Sequence, residues 1–564
     1  MGSSLSNAQP QAKPKPKEDC VLRARSNTAL ILRPAIPLVI GILLLITLLF
    51  GAIRFRLRNM PLERDEGEYA YSGQLILQGI PPYKLAYNLK LPGIYAAYAI
   101  VLATFGQTAG GIHLGLLLIN ACTILLIYIL TARVFSRLAG LVAAATYALL
   151  SASPSVMGFE AHATNFVLPP ILLGILLLLE GSRLRNRWLI FASGFLCGIG
   201  FLMKQHGVFF AFFCCFYLLL VGRKQRQGWR EFLSYIGALG TGFILPYAVT
   251  CWLLYRAGVF QKFWFWTLSY AGEYSKVGLH RGVHAFVGSY GAILHANPLI
   301  WIIALIGLLA PLWDLEARKH WGFTGLLLLF SFLSLCPGAY FRPHYFILLL
   351  PAIALLTGIA VGSATTALVE SGRRRAVTLI PMLVFLSALG LSIFQQREFY
   401  FFLDPAAAME ATYGTNPFLA AMKAADYVRQ NSTEDARIAV LGSEPEIYFY
   451  ARRRSATGYL YMYSLIVRQK YTARMQQELI HEVETNRPEY LIYADVSESW
   501  GAERDHAPQA SAFLNWVREY AQTYYDAVGV AEIEDSGRDV WGDAAKSYKP
   551  RAGEAIYVMK RKQQ

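Results

Sequence analysis

Residues 34–69 read PAIPLVIGILLLITLLFGAIRFRLRNMPLERDEGEY. Residues 34–53 are almost purely apolar and have the length a helix needs to cross about 30 Å of hydrocarbon. No small-residue cleavage site follows, so the run reads as an uncleaved signal anchor rather than a signal peptide. Arg54, Arg56 and Arg58 follow it directly. Then comes an acidic run, Glu63-Arg64-Asp65-Glu66-Gly67-Glu68-Tyr69. A membrane anchor that delivers a cluster of carboxylates to one face sets the frame for the rest of the chain.

Composition agrees with that frame. The 564 residues are 55% hydrophobic and 16% charged, with a mean hydropathy of +0.36; soluble proteins carry about 25% charge. Disorder, collagen and a small disulfide scaffold are excluded, leaving a polytopic α-helical membrane protein with soluble mass attached. Residues 1–395 hold 32 Lys and Arg against 13 Asp and Glu, and residues 396–564 hold 20 against 24. The basic excess therefore belongs to the membrane part, where basic loops explain it without nucleic acid. All seven cysteines lie before residue 396, so the tail must fold on its own core.

Residues 1–33 read as a polar, disordered tail on the cytoplasmic side. Apolar runs near 34–53, 112–132, 138–156, 163–180, 188–203, 206–221, 232–254, 298–313, 321–336, 343–362 and 376–394 give about eleven spans. A further stretch, 91–106, is short and carries two tyrosines. If it crossed, the clusters Arg183/Arg185/Arg187, Arg223/Lys224/Arg226/Arg230, Arg318/Lys319 and Arg373/Arg374/Arg375 would all face outward. Read as an interfacial helix, it returns every one of them to the cytoplasm, as the positive-inside rule requires. The outer face then holds the first loop (54–111), the turns near 157–163, 204–206 and 337–343, the loop 255–297, and the tail. Arg54, Arg56 and Arg58 break the rule locally and are read as snorkelling into the outer headgroups.

The tail, 396–564, reads as an extracytoplasmic α/β domain. Helices are expected at 417–430 and 509–523, and strands at 437–442, 489–494 and 555–560. The transmembrane domain is 34–395. No internal repeat suggests an inverted-repeat transporter.

Four of the 13 acidic residues before 396 fall in the 63–68 run. Paired carboxylates at a membrane surface can act as a base or bind a metal, or they can be a solvated loop neutralised by Arg58 and Arg64. Lys90, opening the interfacial segment, suits a lipid phosphate or ordinary snorkelling. Glu160 and His162 share the next outer turn and can line a substrate pocket or cap each other. Lys204 and His206 sit between two spans and either add positive charge to the same cavity or mark the bilayer boundary, while Arg342-Pro343-His344-Tyr345 opens another span and suits either a phosphate or diphosphate head group or an interface anchor. The loop 255–297, with Tyr270, Glu273, Tyr274, Lys276, His280, Arg281 and His284, suits either sugar stacking or an interfacial belt. Walker A, GxGxxG and HExxH patterns do not occur, and the tail shows no triad. An outward-facing enzyme without nucleotide sugars would draw on a lipid-carried donor.

At these residues the chain resembles the GT-C glycosyltransferases of the protein O-mannosyltransferase type, including bacterial aminoarabinose transferases that modify lipid A. Asp65-Glu66 matches the family's first-loop Asp-Glu pair. Lys90-Leu91-Pro92 matches its Lys-Pro-Pro-like motif imperfectly, with leucine where proline is usual. The Gly-rich segment Gly194 to Lys204, Pro343-His344-Tyr345 through Pro351, and Gly442 to Tyr450 are similar to bacterial members. The resemblance implies inverting transfer of a hexosyl or pentosyl unit from a polyprenyl-phosphate sugar, at a bacterial inner membrane, to a protein, lipid or glycan acceptor. It implies Asp65 as base, Glu66 as its helper, and Lys90, Lys204, Arg342 and His344 around the departing phosphate. Glu160, His162 and Tyr69 would line the substrate pocket. Some GT-C enzymes use a divalent metal and others do not, so the sequence leaves a metal neither required nor excluded. A lipid-linked glycan ligase or polymerase, a transporter and a non-catalytic scaffold are the competing classes.

Overall fold

The protein is represented by a computed structural model that describes residues 34–278, 282–501, 506–533, 538–551 and 553–563. The expected polar tail 1–33 lies outside them, as do His280 and Arg281.

Helices occupy each of the eleven expected spans. Seven are long and apolar enough to cross a membrane individually: Ile36–Arg56, Ala109–Val134, Ala163–Leu184, Gln205–Lys224, Trp229–Arg256, Leu350–Glu370 and Ala376–Gln395. Local chemistry sets their ends. Thr108 caps the second through the Gly111 amide, and Ser136 caps the following helix through Ala139. That following helix, Arg137–Ser151, is short and buries every residue after the first, so it forms the centre of the bundle. Residues 298–312 do not span alone: Gly282–Ala296 is also helical, and the two helices meet at 101° where Asn297 leaves helical geometry ahead of Pro298. Part of the expected 255–297 loop is thus a helix of the membrane body.

The stretch expected to lie along the interface is the 13-residue helix Gly93–Phe105. At about 20 Å it is too short to cross the hydrocarbon core. Gly93 meets the helix Arg187–Met203 so closely that a Cβ there would lie 2.5 Å from the Leu202 carbonyl oxygen. This contact brings Lys90 beside Lys204.

The arginines after the first span do not share one fate. Arg54 is buried; its guanidinium donates to the carbonyls of Gly158 (2.6 Å) and Ser151 (2.7 Å) and to Asn120 Oδ1 (3.3 Å). Arg56 donates to the carbonyls of Phe399, Tyr400 and Leu403, which close a π-helical turn. Arg58 is half-buried, laid over Phe55 at 3.9 Å, and its guanidinium donates only to the nearby Phe55 carbonyl. Snorkelling therefore fails for Arg54 and Arg56. The guanidinium fork serves several carbonyls at once, which compensates its charge inside the bundle.

The tail folds around a six-stranded mixed sheet: β1 (Arg437–Leu441), β2 (Arg454–Ser455), β3 (Tyr490–Asp495), β4 (Tyr525–Glu532), β5 (Val540–Trp541) and β6 (Ala555–Arg561), in the order β2-β1-β3-β6-β4-β5. β1 pairs parallel with β2 and β3; the remaining pairs are antiparallel. The expected strands and the helices Phe418–Gln430 and Ala510–Tyr524 are present. β4 was not expected from the sequence: it carries an irregularity between Ala527 and Gly529 that breaks the period-two pattern. The helix Thr472–Asn486, polar on most of its surface, was also missed.

Candidate active site

The acidic run forms the start of a helix, Arg64–Leu77, because Glu63 is an N-cap. The Glu63 carboxylate accepts the Glu66 amide at 2.9 Å, and Glu66 reaches back toward the Glu63 amide at 3.4 Å. One turn thus sends consecutive acidic side chains in different directions. Gly67 lets the tail approach: a Cβ there would lie 2.5 Å from the Glu446 backbone nitrogen.

Asp65 faces a partly open pocket and keeps 19% side-chain exposure. Its Oδ1 accepts the Lys90 ammonium at 2.5 Å. Lys90 also lies 3.4 Å from Glu68 Oε2 and 4.6 Å above the Tyr69 ring. Burial alone would raise the Asp65 carboxyl, but Lys90, His162 and Arg342 outweigh it and hold it well below the usual range. Lys90 is raised in turn, because Asp65, Tyr69 and Glu68 outweigh its burial.

The other wall is imidazole and cation. His162 and His344 stack at 4.0 Å between centroids, with planes 18° apart. Burial pushes His162 down to about 4, and His344 is also lowered, by burial and by its cationic neighbours. Both shifts favour the neutral ring. His162 Nδ1 lies 3.5 Å from Glu63 Oε1 without a hydrogen bond, and His344 Nδ1 is buried without a partner. Lys204 Nζ sits 4.2 Å over the Tyr345 ring. Burial pushes Lys204 down to about 7, with the Lys90 and Arg342 cations adding to the fall and Asp65 opposing it. Arg342, raised first by Tyr274, lies 5.9 Å from the Tyr340 ring and contributes to the field on Asp65.

Three donors, from Asp65, His162 and His344, lie within 4.8 Å of one another. Neutral imidazoles with a carboxylate suit a first-row divalent ion. An ion there would have to displace the Lys90 ammonium from Asp65, and would face the charges of Lys204 and Arg342. The donor set fits a metal; the surrounding charge suits an anion better.

Most of the residues picked from sequence thus converge: Asp65, Tyr69, Lys90, His162, Lys204, Arg342 and His344. Glu66 does not face this pocket. Its fully buried carboxylate accepts the Ala161 amide at 2.6 Å and lies 3.0 Å from His113 Nε2, while His113 Nδ1 donates to the Arg58 carbonyl. Glu160 sits behind the same turn, with both oxygens buried and unpartnered; burial, reinforced by Glu66, pushes it up to about 8. His206 donates to the Ser334 carbonyl and packs edge-on against Tyr345. Sequence reasoning assigned no role to Glu68, His113 or Tyr461. Glu68 stood within the quoted acidic run, but its partners lie elsewhere in the chain.

Beside the pocket, a cavity of about 1280 Å³ opens between the bent pair 282–312 and the helices 315–333 and 350–370. Phe286, Tyr290, Trp301, Phe332, Phe346 and Ile353 line it. Phe346 belongs to the same turn as His344, Pro343–Leu348, so an apolar cavity adjoins the cationic wall.

Residues 90–252 match the family described as dolichyl-phosphate-mannose-protein mannosyltransferase. The chain is 27% identical over 324 residues to an undecaprenyl phosphate-alpha-4-amino-4-deoxy-L-arabinose arabinosyl transferase of Pseudomonas paraeruginosa. That match covers 53% of this chain and 55% of the relative. A Pseudomonas aeruginosa protein of the same name matches with equal identity and coverage over 326 residues. The chain therefore spans about half the length of the curated relatives it matches. Among solved structures, ArnT from Cupriavidus metallidurans bound to undecaprenyl phosphate superposes with a TM-score of 0.56 at 15% identity, covering 93% of this chain and 98% of that one. The apo state of the same protein gives 0.54 at 15% identity, over 92% and 97%. This is a multi-span membrane protein that shares the fold of ArnT, and its residues 90–252 are similar to the protein mannosyltransferase family.

Proposed function

We propose that the protein transfers a sugar from a polyprenyl-phosphate donor to a hydroxyl or other nucleophile on the extracytoplasmic face, with inversion. The observation that carries this reading is one carboxylate, Asp65, set in a pocket with Lys90, Lys204 and Arg342 that adjoins a large apolar cavity. Three cations suit a phosphate, and the cavity suits a long apolar chain attached to it. The named relatives and the undecaprenyl phosphate in the ArnT structure support the same donor class.

In this reading the acceptor oxygen attacks the anomeric carbon as the bond from that carbon to the phosphate oxygen breaks. The acceptor proton passes to Asp65, and the bonding electron pair leaves with the lipid phosphate. Lys90 links the two events. While it neutralises Asp65, that carboxylate is a weak base; as negative charge grows on the leaving phosphate, Lys90 turns toward it and Asp65 gains basicity. His162 and His344, neutral, accept hydrogen bonds from sugar or acceptor hydroxyls.

The domain reading accompanies it: residues 34–395 form the transmembrane catalytic body of a bacterial inner-membrane protein, with the N-terminus cytoplasmic. The domain 396–564 stands outside, against the first loop. The test is transfer of label from undecaprenyl-phosphate sugars in proteoliposomes, with nucleotide sugars as the control. Transfer from a lipid-linked donor alone is expected; transfer from a nucleotide sugar alone would sink the proposal.

Lys204 supplies a pH signature. With a value near 7, it is largely neutral above neutrality, and a bound phosphate returns its proton. Undecaprenyl phosphate binding should therefore tighten as pH falls through about 7. Titrations across pH 6–9 should show that slope in the wild type and lose it in Lys204→Met.

A further inference from the structure

The ammonium of Lys90 is shared unequally between two carboxylates, 2.5 Å from Asp65 and 3.4 Å from Glu68. Asp65 is partly open, whereas the Glu68 side chain is fully buried. Glu68 is also heavily supplied with neutral donors. Tyr95 hydroxyl donates to Oε1 at 2.5 Å, and Asn88 Nδ2 donates to Oε2 at 2.6 Å. The third donor comes from the C-terminal domain: Tyr461 hydroxyl lies 3.1 Å from Glu68 Oε2 and 3.0 Å from the Arg64 carbonyl oxygen.

We infer that Glu68, satisfied by Tyr95, Asn88 and Tyr461, is a positioning residue that tethers the Lys90 ammonium loosely between Asp65 and the phosphate site, so that the C-terminal domain takes part in donor binding through Tyr461. The inference rests on the proposed lipid-phosphate donor.

The physical reason is competition. A buried carboxylate lacking neutral donors would take the ammonium as its full partner, and the lysine could not turn to a phosphate. A site without Glu68 would leave the lysine held by Asp65 alone. Burial raises the Glu68 carboxyl, the hydroxyls of Tyr95 and Tyr461 oppose that rise, and together with Asn88 they weaken its pull on the ammonium. The backbone of the lysine is fixed separately: Tyr83 hydroxyl donates to the Lys90 carbonyl at 2.6 Å, and Gln205 Nε2 donates to the Leu89 carbonyl at 2.7 Å. Only the ammonium end is free to turn.

The C-terminal domain is built to hold this hydroxyl in place. Arg64 pairs with Glu444 at 3.0 Å, the Leu62 amide donates to Tyr450 hydroxyl at 2.8 Å, and the Ser455 amide donates to Tyr71 hydroxyl at 2.8 Å. The Tyr87 amide donates to the Gly458 carbonyl at 2.6 Å, three residues before Tyr461. The domain is therefore locked to both segments that carry Asp65, Glu68 and Lys90.

The experiment is a double-mutant cycle on the full-length protein in nanodiscs, reading undecaprenyl phosphate affinity by calorimetry. Tyr461→Phe and Tyr95→Phe each remove one hydroxyl from a different oxygen of Glu68, so the idea does not depend on one variant folding. Each should weaken binding about three- to tenfold, the range of one hydrogen bond to a charged group. In a Lys90→Ala background the same changes should weaken it no further, because Glu68 acts through Lys90. Equal losses in both backgrounds, or no loss in either, would overturn the inference while leaving the donor reading intact. Absence of saturable binding by the wild type would overturn the donor reading and this inference with it.

Discussion

Asp65→Asn should abolish sugar transfer while leaving undecaprenyl phosphate binding as tight as in the wild type or tighter. The carboxamide keeps the shape of the side chain but cannot accept the acceptor proton. A positioned general base contributes about 10²- to 10⁴-fold, so turnover should fall by at least two orders of magnitude. Binding behaves differently because Asp65 and the donor phosphate compete for one ammonium, now 2.5 Å from the carboxylate. Removing the carboxylate's charge frees Lys90 for the phosphate and removes a negative charge from the anion's site. Transfer rate and lipid-phosphate affinity measured on the same preparation check this. Loss of both together would assign Asp65 to binding rather than to proton removal. Retained transfer would move the base to another carboxylate, and Glu160 is poorly placed for it, being buried behind the turn.

The second large effect is on folding. Arg54→Met should lower stability by about 2–4 kcal/mol, since it strips the Gly158 and Ser151 carbonyls and Asn120 of a shared donor inside the bundle. Arg54→Lys should not restore it, because a single ammonium cannot reproduce the geometry of a planar fork. Arg58→Ala, which removes only a local bond to the Phe55 carbonyl at a half-buried position, should change stability by no more than about 0.5 kcal/mol. Thermal unfolding in detergent compares the three. Activity should fall with Arg54→Met even below the unfolding temperature. The turn that Arg54 clamps at Gly158 continues to Ala161, whose amide holds Glu66, and Glu66 forms the first turn of the helix that presents Asp65. Equal unfolding temperatures for Arg54→Met and Arg58→Ala would show that the carbonyls find other donors.

Much of this architecture was legible before any coordinates. Apolar runs of bilayer length and the distribution of Lys and Arg located the spans, because hydrocarbon tolerates neither unpaired backbone nor free charge. The same scarcity made the few charges of the membrane part informative: Asp65, Lys90, His162, Lys204, Arg342 and His344 were all chosen from sequence and converge in space. The bend at Asn297 was less legible. An apolar composition is shared by a crossing helix and by one that turns against its neighbour, and packing decides between them.

Sequence alone therefore determined that the chain crosses the membrane many times and picked out most of the charged residues that meet in the pocket, since both follow from where water and hydrocarbon allow charge, but it also picked Glu66 and Glu160, which face elsewhere. Only the tertiary structure decided what neighbouring residues of one short run do. Asp65 opens to the pocket, Glu66 turns inward to Ala161 and His113, and Glu68 is enclosed by Asn88, Tyr95 and Tyr461. Helical geometry sends each of these side chains to a different side of the same turn. Which side meets the pocket depends on elements that dock from elsewhere, one of them 393 residues away in the chain. The same docking buries Arg54 instead of letting it reach the headgroups. A cation beside an apolar span looks alike in sequence whether lipid headgroups or backbone carbonyls receive it, and only the fold brings those carbonyls within reach.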